Sequence, residues 1–143
     1  MGNERFIRWQ GYTMAQLSFA INLFLGLSTA ALGFSVSLLT DEKFVLHGKI
    51  KLLFAAAMLS QFVSVAFGIA AVIVRTLDFR NTAQVARKSE RGEESGEIVS
   101  LRRKVKRLGK ATWFSFWTQV AAFALGVVSL VVSIFAAYSS KLL

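Results

Sequence analysis

The sequence predicts an all-α integral membrane protein: three transmembrane helices, with spans two and three extended into a cytoplasmic helical hairpin. Three observations predict it. Apolar residues make up 55% of the 143-residue chain and sit in three long blocks rather than being scattered. Each block reaches the roughly 20 apolar residues that a spanning helix needs. Between the second and third blocks, 75–110 carries 11 of the 17 Lys and Arg residues and 5 of the 8 acids, within a chain of net charge +9. The chain has no proline, so nothing in the blocks predicts the broken helices common in transporters.

Residues 1–11 form a polar lead with Arg5, Arg8 and Trp9. A Met-Gly start suggests myristoylation, but that motif wants Ser or Thr where Phe6 stands. The apolar run that follows, 12–39, far exceeds the roughly 7–15 residues of a signal-peptide core, so an uncleaved span is predicted. Its small and polar residues Ser18, Asn22, Gly26, Thr29, Gly33 and Ser37 recur at spacings of three and four, which places them on one helical stripe. Small side chains let helix backbones approach closely in lipid.

Residues 40–51 form an external loop of mixed charge. His47, the sole histidine, is expected to be solvated, since a metal role would need ligands from another chain. Span two, 52–74, carries the stripe Ala57, Ser60 or Gln61, Ser64, Gly68 and Ala71, including the small-xxx-small run Ser60, Ser64, Gly68. The 75–110 segment divides at Gly92. Its first arm continues span two without a breaker, and Asp78 stands three residues after Arg75, a helical pairing distance. Glu93 to Glu97 is expected as a turn with an acidic helix start. In the second arm Ile98, Leu101, Val105, Leu108 and Thr112 follow a 3-4-3-4 seam. Span three, 111–138, has the stripe Ser115, Thr118 or Gln119, Ala122, Gly126, Ser129, Ser133 and Ala137; 139–143 is a short external tail.

Counting Lys and Arg sets the expected topology. The lead has 2 and the central segment 11, against 3 around the first loop and 1 in the tail. Basic flanks stay cytoplasmic, so the N-terminus and the hairpin are expected inside and the C-terminus outside, in a bacterial inner membrane. Trp9, Tyr12, Trp113 and Trp117 fall near the inner boundary, and Phe44 and Tyr138 near the outer.

Three groups of residues could carry function. Arg102, Arg103, Lys104, Lys106, Arg107 and Lys110 form a basic run that would attract anionic headgroups or an acidic cytoplasmic protein. It lacks interleaved aromatics and a recognisable module, which argues against nucleic acid. One carboxamide per span, Asn22, Gln61 and Gln119, would serve as interhelical glue or, in an oligomer, as pore lining. Gly26, Gly33, Ser60, Ser64, Gly68 and Gly126 are expected at helix contacts, within a homo-oligomer or with another membrane subunit.

No ionisable side chain lies deep in any predicted span, which disfavours pumps and proton-coupled exporters. No histidine is placed to ligate haem. No nucleophile with an adjacent base, phosphate loop or metal spacing occurs, so no enzyme, cofactor or metal is expected. Two classes of function remain: an anchor or scaffold whose basic hairpin docks a partner or anionic lipid, and a homo-oligomeric pore. In layout the chain is similar to small membrane effectors of bacterial defence and to some phage holins, a resemblance that implies the second.

Overall fold

A computed structural model describes residues 2–42, 44–46, 48–90 and 96–142, apart from the side chains of 2–10, 89–90, 97–98 and 140–142. His47 and, of the expected turn from Glu93 to Glu97, its first three residues lie outside the described residues; Gly96 and Glu97 open the third helix. The protein is all-helical, with α1 (Gly2–Leu39), α2 (Lys49–Glu90) and α3 (Gly96–Leu142). All three contain stretches long and apolar enough to cross a membrane. At 1.5 Å per residue they run about 57, 63 and 70 Å, far beyond a hydrocarbon core of about 30 Å. Without proline, no backbone donor is lost along them. Several hydroxyls also bond their own helix one turn back, as Thr29 to Leu25 O (2.8 Å), Thr118 to Phe114 O (2.9 Å) and Ser133 to Ser129 O (2.7 Å).

The antiparallel pair α2 and α3 is the spine. On α2 the buried residues Phe54, Ala57, Gln61, Ser64, Gly68, Ala71 and Arg75 alternate steps of three and four. On α3 Thr112, Ser115, Gln119, Gly126, Leu130 and Ser133 do much the same. That is the seam of a left-handed coiled coil. These are the stripes that the sequence marks on spans two and three. The seam continues beyond Arg75 through half-buried Asn81 and Val85 on α2 and Leu101, Val105 and Leu108 on α3.

Helix α1 leans on this pair with a different face from the one its stripe suggests. Ile21, Ser28 and Ser35, seven apart, are buried, whereas Asn22, Gly26, Thr29, Gly33 and Ser37 face outward. A Cβ added at Gly26 or Gly33 would meet nothing within 4 Å. The reason lies partly in α1's larger side chains: Phe24 on the inner side makes edge contacts with Phe123 (5.4 Å between centroids) and Phe116 (6.3 Å), filling the groove beside α3. Thr29, satisfied within its own helix, needs no partner there.

The connector between α1 and α2 closes one end. After Leu39 the chain turns through Asp41 N–H to Leu38 O (3.2 Å) and Phe44 N–H to Asp41 O (3.0 Å), and it enters α2 through Gly48 at φ +54°, a conformation favouring glycine. Phe44 is buried against Phe54 (5.4 Å) and Tyr138 (6.1 Å), in a cluster with Ala57 and Leu130. The opposite end carries Arg75 and the charged continuations of α2 and α3.

Candidate functional site

Two arrangements stand out: a polar girdle halfway along the bundle and a buried arginine at its charged end. In the girdle, Gln61 and Gln119 are both fully buried, and each faces a glycine on the other helix. A Cβ at Gly126 would stand 2.6 Å from Gln61 Nε2, and one at Gly68 would stand 2.6 Å from Gln119 Nε2. The two pairs are related by an approximate twofold, because Gln61 to Gly68 and Gln119 to Gly126 are the same seven-residue step on antiparallel helices. Each glycine provides the space that its partner's carboxamide fills.

Hydrogen bonds tie the girdle to all three helices. Gln61 Nε2 donates to Phe123 O at 3.4 Å, and Gln119 Nε2 donates to Ile21 O on α1 at 3.2 Å. Ser64 Oγ donates to Gln119 O at 3.0 Å and shares a 2.8 Å bond with Ser28 Oγ, completing the circuit from α1 through α2 to α3. The Oε1 atom of each glutamine is buried and accepts no hydrogen bond. The carboxamides of spans two and three thus meet within one unit, while Asn22 lies outside it, on the exposed side of α1. Ser64, Gly68 and Gly126 are at helix contacts, Ser60 is at their margin, and Gly26 and Gly33 are on the outer face. Sequence reasoning missed Ser28. Its signal is the step of seven shared with Ile21 and Ser35.

At the charged end Arg75 is only 8% exposed. Its Nη2 donates to Met14 O of α1, and its guanidinium lies 5.5 Å from the centre of the Phe79 ring. Arg75 Nε and Nη1, like Asp78 Oδ1, are buried without a hydrogen-bond partner. Spacing suggests an Arg75–Asp78 pair along α2, but the guanidinium turns across to α1. Two cavities flank it. One, about 140 Å³, opens between α1 and α2 beside Ser18, Asn22 and Thr76. The other, about 60 Å³, lies toward α3 beside Asp78, Gly109 and Trp113.

Arg102, Arg103, Lys104, Lys106, Arg107 and Lys110 are all exposed on α3. Arg103, Lys104 and Arg107 share a shallow surface recess with Ser100. No group of three or more His, Cys, Asp or Glu side chains that could hold a metal occurs among the described residues. Comparison of the chain with protein-family models, curated proteins and solved structures gives no match.

Proposed function

We propose that the protein is a non-enzymatic membrane anchor or scaffold subunit that self-associates and presents a basic cytoplasmic hairpin to anionic lipid or an acidic partner. In this reading the three helices cross the membrane with the α1 start and the 75–110 segment on the cytoplasmic side, where 13 of the 17 Lys and Arg residues then lie. The carrying observation is the inward packing of the girdle. Gln61 and Gln119 fill glycine notches inside one three-helix unit, and their Nε2 groups donate across to neighbouring helices, which supports a role in joining helices over one in lining a path for solutes. The six exposed cations of α3 are what this unit offers to anionic ligands, and each contributes about 1 kcal/mol near an anionic surface.

Self-association falls to α1. Its outward Asn22, Gly26, Gly33 and Ser37 leave a narrow face that a second copy can approach closely. The same face supports a second reading, a pore in which several α1 helices surround a lumen bordered by Asn22.

Two measurements separate them. Protein purified alone is weighed in nanodiscs and recorded in planar bilayers. It is also placed in phosphatidylcholine liposomes and offered phosphatidylglycerol vesicles. The anchor reading expects electrical silence and salt-sensitive vesicle capture, lost when Arg102, Arg103, Lys104, Lys106 and Arg107 are changed to Glu. Discrete conductance that disappears in Asn22→Leu would establish the pore and end the anchor reading.

A further inference from the structure

We infer that the crevice between α1 and α2 at Arg75 is a binding site for the phosphodiester group of a membrane phospholipid. The argument starts from position. Lys51 and Arg75 bound a stretch of α2 without charge, and the 24 steps between them span about 36 Å. A bilayer measures about 30 Å across its hydrocarbon and about 40–45 Å with its headgroups. Arg75 therefore lies at headgroup depth, level with Trp113, which borders the neighbouring cavity.

Burial supplies the second step. In this buried arginine, Nε and Nη1 are shut away from water, yet they have no protein acceptor. A buried charge with donors left unmet is costly, and a phosphate oxygen is an acceptor whose geometry the guanidinium fork matches. The 140 Å³ cavity that Arg75 borders is equipped for it. The Ser18 hydroxyl and the Asn22 carboxamide, both from α1, border it as further donors. Among the described residues no carboxylate borders it; Asp78 borders the cavity on the other side.

Shape decides the class of ligand. At about 140 Å³ the cavity has room for a phosphate group. Ile21, Val72 and Phe79 form apolar walls around the donors, as a group continuous with glycerol and acyl chains requires. Asn22 then gains a role beyond its lipid-exposed position. The site rests on the membrane placement and is independent of the basic face of α3.

Native mass spectrometry from dodecyl maltoside micelles tests it, with phosphatidylglycerol as the probe and the diacylglycerol of the same chains as the control. The expected result is one phosphatidylglycerol per chain that survives activation sufficient to strip the others, with no retained diacylglycerol. Arg75→Gln weakens retention about tenfold or more. Because Arg75 also binds α1, a second variant guards against misfolding: Ser18→Leu fills the cavity and leaves Arg75 and Met14 in place, and it too loses the lipid while its helical melting curve is kept. Gln at Arg102, Arg103 and Lys104 retains it. Retention in Ser18→Leu, or loss in the Arg102 triple variant instead, overturns the site. Displacement of the lipid by millimolar inorganic phosphate alone overturns the lipid source in favour of a free anion.

Discussion

Gly126 and Gly68 earn their places through volume. A methyl group at Gly126 would meet Nε2, Cδ and Cγ of Gln61 at 2.6, 2.9 and 3.1 Å, so most of the side chain must move, and it is fully buried. Gly126→Ala is expected to lower stability by about 1–3 kcal/mol. The added methyl is accommodated when Gln61 is also Ala, so the double variant should lose less than the sum of the single ones, a coupling of about 1 kcal/mol. Unfolding in micelles followed by circular dichroism measures it, and strict additivity would refute the notch. Ser64 offers a second test. Ser64→Ala removes its bonds to Ser28 and to Gln119 O, at a cost of about 0.6–2 kcal/mol. Ser28→Ala added to it should cost little more, since the shared bond is already gone. At this scale the sequence is readable where a side chain is out of character: two glutamines in apolar runs declare themselves. Ser28 and Arg75 do not. Serine is common in such helices, and Arg75 stands first in a basic segment where burial against α1 leaves no local mark.

Among the elements, α2 and α3 were legible and α1 was not, for one physical reason. On α2 and α3 the small residues coincide with a strict alternation of three and four, and helices that pack along their whole length need that period. On α1 small residues and buried residues part company. Lipid tails are as apolar as leucine, so hydrophobicity does not choose the buried face, and a hydroxyl such as that of Thr29 is content on either side. The α1–α2 connector makes its own prediction. Phe44 packs, with tilted rings, against both Phe54 and Tyr138, so Phe44→Ala should cost about 3 kcal/mol. The outward-facing Phe62, 65% exposed, should cost less than about 0.5 kcal/mol when changed to Ala. Equal losses at the two positions would mean that the connector does not plug the bundle.

For the molecule as a whole, length and hydropathy mark three helices able to cross a membrane from the sequence alone, and charge supplies the proposed orientation. The orientation is testable without background because the chain contains no cysteine. In the proposed topology a cysteine replacing exposed Val99 is labelled by an impermeant maleimide only after the cytoplasmic side is opened. One replacing exposed Val45 is labelled in intact cells. The reverse pattern would invert the topology and place the basic face outside.

The paired notches of Gln61 with Gly126 and Gln119 with Gly68 also bear on how such a chain can drift. Sliding α3 by one heptad would set Gln61 against Gln119 and Gly126 against Phe54; sliding it the other way would set Gly68 against Gly126 and bring Gln119 to Arg75. Either slip loses both fits at once, so the two pairs act as a vernier for register. A larger residue at one mark is tolerable only beside a smaller one at its opposite number. Homologous chains should therefore show these four positions covarying in two reciprocal couples, conserving summed volume rather than residue identity.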